Sequence, residues 1–317
     1  MMVTRTVPVT LLTAGLLAAG PTPATAQGNP VGGGGNHYFL AGAGNETGKA
    51  GLDFVYGNPD DNVYIGDFVD ATGVFGGDAV DDVMVRRGNS FIIRGQGGRV
   101  FYYGDPGDTV LVGDWDGDGT DTLAVRRGNR YFVKNDVNTG KADYEFVYGD
   151  PGDTVFVGNW DGDTSEETSP NLELTDTLMV RRGNIFHVKN DTESGVADYR
   201  FEYGSPTDAV LVGDWATAPV YGDNPATPTK ETGYVVTPGE SGDYADQVAT
   251  RRGFSYFLSR EIDPAYQSVP TGYLVATRQI VGYGDATDTS FTAQLSFTYD
   301  LNGKPDTLLG DGLAIRR

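Results

Sequence analysis

The chain repeats itself, and the repeat constrains the fold more than any other feature. Five times a β-branched or apolar run ends in two arginines: Val85-Arg86-Arg87-Gly88, Val125-Arg126-Arg127-Gly128, Val180-Arg181-Arg182-Gly183, Thr250-Arg251-Arg252-Gly253 and the terminal Ile315-Arg316-Arg317. In the same phase stand a Tyr-Gly pair at Tyr56, Tyr103, Tyr148, Tyr203 and Tyr283, and a Gly-Asp-aromatic ending in Phe68, Trp115, Trp160 (with Asn159 for Asp) or Trp215. The best-preserved unit runs from Asp108 to Gly149. Its short β-branched and aromatic runs are bounded by Gly, Asp, Asn or Pro, which reads as four strands. Four strands in a period near 40 residues specify a propeller blade, whereas a helical solenoid would show a 3.6-residue periodicity that is absent here.

Gly88, Gly128, Gly183 and Gly253 stand 40, 55 and 70 residues apart, and the excess falls in one place per unit, at 164–175 and at 217–244. Both insertions lie between the Gly-Asp-aromatic and the strand leading into Arg-Arg. Insertions in repeat proteins gather on one face, often the binding face. The chain also opens and closes in mid-repeat: Asn36-His37-Tyr38-Phe39 continues the pattern that Ile315-Arg316-Arg317 breaks off. The expected fold is therefore an all-β, five-bladed β-propeller of four-stranded blades over 36–317. Residues 36–57 are expected to supply the outer strands of a blade whose inner strands come from about Thr289 to Arg317, and such closure leaves only short sheet edges.

Arg5 followed by the apolar run Val7 to Gly20 and Ala24-Thr25-Ala26 reads as a secretory leader over 1–26, cleaved after Ala26. A Gly-rich linker follows at 27–35. The apolar run is shorter than the roughly 20 residues a membrane helix needs, so no membrane span is expected. There is no cysteine, so disulfides cannot staple an exported chain, and topology or metal must stabilise it instead. A net charge of −21 argues against nucleic acid as a partner.

Asp114-Trp115-Asp116-Gly117-Asp118-Gly119-Thr120-Asp121 alternates carboxylates with glycines, so a tight loop can turn several oxygens toward one point. Calcium takes six to eight such hard ligands. Asp114, Asp116 and Asp118 are expected to bind through their side chains, Thr120 through its carbonyl, and Asp121 as a closing carboxylate. A second site is expected from Asn159, Asp161 and Asp163 with Asp176 regained after the insertion. The loop decays elsewhere, keeping Asp67, Asp70, Asp81 and Asp82 in the first unit and Asp214 and Asp246 in the fourth. In the last, Lys304 stands for a ligand after Asp300.

With this loop the chain resembles the secreted FG-GAP/VCBS-type repeat proteins, whose blades carry an Asp-x-Asp-Gly-Asp-Gly calcium loop related to that of integrin α chains. The resemblance covers the mature chain, most strongly residues 89–215. It implies Ca2+-bound blades and extracellular binding or adhesion. Asp121 stands one place earlier than the last acid of most such loops, and five units replace the seven of integrin-type propellers, so the integrin ligand surface does not carry over.

Two repeated features invite a ligand. A ring of guanidinium groups, Arg126 and Arg181 among them, can hold an anionic polymer, but pairing with the repeated acids Asp105, Asp108, Asp150 and Asp153 accounts for them better. Trp115, Trp160 and Trp215 can stack on sugars, although repeat-phased aromatics more often pack between blades. His37 and His187 are repeat variants without a nucleophile motif, so no triad or zinc site is indicated. The off-pattern acids Glu173, Glu202, Glu240 and Glu261 keep a carbohydrate-active enzyme as the alternative. The expected function is a secreted, monomeric, non-catalytic module that binds an extracellular glycan or a cell-surface protein.

Overall fold

The structure is a computed structural model that describes residues 29–32, 34–41, 50–69, 76, 80–95, 99–160, 175–213, 222–223, 233–234, 246–252, 255–259, 273–274, 277–282, 289–301 and 304–316. The described residues form strands and no helix, so no helix is long and apolar enough to cross a membrane among them. In chain order, β1 (His37–Ala41) and β2 (Ala50–Val55) form a hairpin. The first unit is the sheet β3 (Asn62–Gly66), β4 (Asp82–Arg87), β5 (Ser90–Ile93) and β6 (Val100–Tyr102). The second is β7 (Thr109–Gly113), β8 (Thr122–Arg127), β9 (Arg130–Lys134) and β10 (Tyr144–Val147). The third is β11 (Thr154–Gly158), β12 (Thr177–Arg182), β13 (Ile185–Lys189) and β14 (Tyr199–Glu202).

The fourth unit opens with β15 (Ala209–Gly213). Within its insertion β16 (Gly222–Asp223) pairs with β17 (Gly233–Tyr234). The sheet continues through β18 (Gln247–Arg252) and β19 (Ser255–Ser259). The short β20 (Tyr273–Leu274) then joins the edge of the third sheet beside β14, and β21 (Thr277–Gly282) completes the fourth. A long hairpin, β22 (Thr289–Leu301) with β23 (Lys304–Arg316), ends the chain.

Each unit is an antiparallel four-stranded meander, and β3 packs on β7, β7 on β11 and β11 on β15, giving a propeller-like arrangement of sheets. The first two strands of a unit are buried on both faces, as in β7 and β8, because a neighbouring sheet covers each side. Cores therefore lie between sheets. Leu111, Trp115, Tyr131 and Phe146 of the second unit pack with Val155, Val157, Leu178 and Val180 of the third. A stacked aromatic pair spans the third and fourth strands of each of the first three units: Phe91–Phe101, Tyr131–Phe146 and Phe186–Phe201, with centroids 5.2, 5.0 and 5.0 Å apart.

Four repeat-phased blades are present among the described residues, rather than five equal ones. The remaining sheet, ordered β2-β1-β23-β22, joins the two ends of the described chain through Tyr38↔Arg316, Phe39↔Ile315 and Leu40↔Ala314. It differs from the blades in its two 13-residue strands, which pair down to Leu301↔Lys304. Asp300 and Lys304, read from the sequence as remnants of an acidic loop, lie in these strands instead. The backbone ladder continues through Phe297↔Leu308 and Tyr299↔Asp306, where the other units break for a loop.

The arginine pairs lock successive sheets at one shared turn. Ahead of β7, the turn 105–108 closes with an Asp108 N–H to Asp105 carbonyl bond of 3.0 Å. Arg86 of the preceding sheet donates to the carbonyls of Asp108 and Asp105 at 2.7 and 2.8 Å. Arg127, from the sheet the turn enters, donates through Nε and Nη2 to the Asp108 carboxylate at 2.8 and 2.7 Å. The device recurs with Arg126 and Arg182 at 150–153, with Arg181 and Arg252 at 205–208, and with Arg316 and Arg87 at Asp61. Pairing with the repeated acids thus holds for the second arginine, while the first satisfies backbone carbonyls.

A second clasp joins the sheets at the Gly-Asp-aromatic. Asp67 donates its N–H to Asp121 Oδ2 at 2.8 Å, and Asp121 returns its own N–H to the Asp67 carbonyl at 2.8 Å. Asp114 with Asp176, and Asn159 with Asp246, repeat the exchange one and two sheets on. A Cβ on the preceding Gly66, Gly113 or Gly158 would come within 2.7, 2.8 or 2.6 Å of that carboxylate oxygen, so only glycine admits the neighbour's acid.

Candidate metal centre

The loop between β7 and β8 draws three carboxylates together. Asp114, Asp116 and Asp118 each offer an oxygen, and these oxygens lie within 4.8 Å of one another. The local sequence causes this. Gly117 and Gly119 adopt φ of +71° and +83°, a region that strains other residues, and they fold the chain back on Asp114. Asp114 Oδ1 accepts the N–H of Gly117 at 2.8 Å and of Asp118 at 3.2 Å, while Oδ2 accepts that of Gly119 at 2.7 Å. Asp118 Oδ1 in turn accepts the Thr120 N–H at 2.8 Å.

Such crowding is electrostatically costly without a cation. Burial first, then the charges of Asp118 and Asp116, push Asp114 up to about 6. Burial and Asp118 also raise Asp116, against a hydrogen bond from the Asn135 side chain. Asn135, in the loop after β9, keeps its own Oδ1 buried without a hydrogen-bond partner. The three clustered carboxylates form an all-oxygen donor set that suits Ca2+, with the Asn135 amide group donating to Asp116 beside them. Asn135 escaped the sequence reading, although its signal was there: Lys134-Asn135-Asp136 recurs as Lys189-Asn190-Asp191, and Asn190 Oδ1 is orphaned in the same way.

Other expected ligands are placed differently. Asp121 points away from the cluster, to the Asp67 amide. Its burial and the nearby Asp176 and Asp81 raise its pKa well above the usual range. Asp176 holds the Asp114 amide at 2.9 Å. Asn159 is buried, its N–H bonds Asp246, and its Oδ1 has no partner, at the position that Asp114 occupies one unit earlier. Asp161 and Asp163 lie outside the described residues.

Trp115 and Trp160 are buried between sheets, out of reach of a sugar ring, and Trp215 lies outside the described residues. Arg126 and Arg181 are committed to the carbonyls of the turns described above. No protein-family model, curated protein or solved structure matches this chain.

Proposed function

We propose that the chain is a secreted, calcium-stabilised propeller of five blades that acts as a non-catalytic binding or adhesion module for extracellular glycans or a surface protein. The convergence of the Asp114, Asp116 and Asp118 oxygens, within 4.8 Å of one another, carries the calcium reading. When bound, Ca2+ supplies the charge that lets these carboxylates stand together. The residues around it do the rest: the glycines set the turn, and Asp176 holds the Asp114 backbone against the next sheet.

Ring closure is supported by β22, which packs against β15 on one side and β3 on the other, and by the β1–β23 pairing. Secretion rests on the leader-like residues 1–26. The calcium loop and the large insertions open from the same inter-strand position in successive units, the place where repeat proteins put their binding surface. A glycan array probed with and without chelator tests the reading. Calcium-dependent retention without turnover supports it, whereas release of a cleaved product would make the chain a carbohydrate-active enzyme.

A further inference from the structure

The outer strand of a blade presents an unpaired edge, and the repeat caps it. Val55, Tyr102, Val147 and Glu202 each end an outer strand, just before a Tyr-Gly pair. Tyr102 donates its N–H to Thr139 Oγ1 at 3.0 Å. Val147 donates to Ser194 Oγ at 2.9 Å, and its carbonyl accepts the Gly195 N–H at 3.3 Å. Glu202 is paired with Leu274, where β20 adds in parallel to β14. Thr139 and Ser194 belong to the nine-residue loops 135–143 and 190–198, between the third and fourth strands of the next unit.

Val55 has no such cap among the described residues. Tyr56 donates its N–H to the Asn36 carbonyl at 3.0 Å, so the alternation of an antiparallel pair turns the N–H and C=O groups of Val55 and Asp53 away from β1. The corresponding loop of the first unit, 94–99, has six residues instead of nine, of which Arg94, Gly95 and Arg99 are described. The Arg94 guanidinium carbon lies 4.4 Å from the centre of the Phe54 ring, on the opposite face of β2 from the Val55 side chain. Beside the edge opens a hollow of about 360 Å3, with Tyr56, Asn58, Ile92, Ile93 and Gly95 around it. Val55 is 63% exposed. Asp53, two residues earlier on the same face, is equally exposed and meets His37 at 2.9 Å.

We propose that the edge of β2 binds an extended, lysine- or arginine-bearing segment of a partner protein as an added strand. The Val55 N–H and C=O pair with its backbone, an apolar side chain enters the hollow against Ile92 and Ile93, and its cation lies beside Asp53. The proposal names the partner for the protein-binding half of the proposed function and rests on that half. Strand addition takes affinity from main-chain hydrogen bonds and specificity from pockets for alternate side chains, and both are present here. The chain itself supplies the precedent, because β20 adds to β14 at Phe201 and Glu202, the positions that Phe54 and Val55 hold in β2. Charge decides between occupants. A second copy would bring its own net charge of −21 and a second Asp53 to the edge, whereas a basic segment is attracted.

The test selects a phage-displayed library of random decapeptides on the full chain. Enriched peptides should combine β-branched or aromatic residues with Lys or Arg, and their synthetic forms should bind Val55→Pro and Asp53→Lys at least about tenfold more weakly than the parent. Proline at Val55 loses no ladder bond, since that N–H points outward, so the circular dichroism spectrum should be unchanged. Asp53→Lys alters only an exposed side chain and keeps the test open if the proline variant misfolds. In the free chain the Val55 amide should exchange with solvent at least about tenfold faster than that of Val147, and should slow when peptide binds. No enriched peptide, binding indifferent to both variants, or a Val55 amide already protected in the free chain would overturn the proposal. So would a parent dimer in the ultracentrifuge that Val55→Pro dissolves, which would give the edge to a second copy. Any of these failures beside intact calcium-dependent retention on a glycan array sinks the edge assignment alone and leaves the binding-module reading in place.

Discussion

Asp176 Oδ2 accepts the backbone N–H of Asp114 at 2.9 Å, while the Asp114 carboxylate turns the other way, onto the amides of Gly117 and Gly119. One residue thus serves two purposes: its backbone ties two sheets and its side chain founds the acidic loop. The clasp explains why the loop begins where it does. Binding of a cation at the loop should accordingly be felt as stability of the whole assembly, since Asp114 is anchored in the joint between sheets.

The glycine of the Gly-Asp-aromatic is the most sensitive point of that joint. A Cβ at Gly113 would lie 2.7 Å from Val157 Cγ1 and 2.8 Å from Asp176 Oδ2. Gly113→Ala is expected to destabilise the protein by about 1–3 kcal/mol, the usual cost of overpacking. Gly107→Ala, where a Cβ meets nothing within 4 Å, should stay within about 0.5 kcal/mol of the parent. Urea unfolding of the two variants checks the contrast.

The two arginines of a pair should differ in worth. Arg86 is buried and donates to the carbonyls of Gly88, Asp105 and Asp108, so Arg86→Ala takes a donor from all three, with only Asp105 keeping the turn's own N–H, and should cost about 3 kcal/mol. Arg127 is about half exposed, and solvent screens its pairs with Asp105 and Asp108, so Arg127→Ala should cost only about 1 kcal/mol. Thermal unfolding of both variants tests this order, and the reverse order would mean the carboxylate pairs hold the sheets.

Acid should unlock the same turns. Arg87, Arg127 and Arg182 hold Asp61, Asp108 and Asp153 below the ordinary carboxylate range, and Arg252 helps lower Asp208 against its burial. Carboxylates with lowered folded pKa stabilise fully above the unfolded value of about 4, and that contribution is lost as pH falls through the folded pKa. Stability with chelator present should therefore drop steeply below about pH 4, and a pH series of melting temperatures shows whether it does.

Protons should also compete with calcium. Asp114 binds a proton with a pKa of about 6 in the metal-free chain, so affinity for Ca2+ should fall as pH drops from 7 to 5. Titration with a calcium indicator at several pH values measures the shift.

Much of this was legible in the sequence because the repeat exposes it. The Arg-Arg, Tyr-Gly and Gly-Asp-aromatic positions mark the strands and turns of each unit. The roles within each motif were hidden, because they are defined between units. Asp121 and Asp176 read as ligands by proximity in sequence, yet each spends its carboxylate on the adjacent sheet 54 or 62 residues away. Asn135 was missed for the converse reason, since it reaches Asp116 from the loop beyond the next two strands. The long β22–β23 hairpin was obscured because Asp300 and Lys304 keep the composition of a loop while pairing as strand.

The central claim is that a divalent cation completes the Asp114 loop. Chelator-stripped protein should be titrated with CaCl2 by calorimetry beside the Asp116→Asn/Asp118→Asn variant, with melting temperatures read for each. Saturable binding that raises the melting temperature of the parent and is lost in the variant is the predicted result; no binding heat and an unchanged melting temperature in the parent would contradict it.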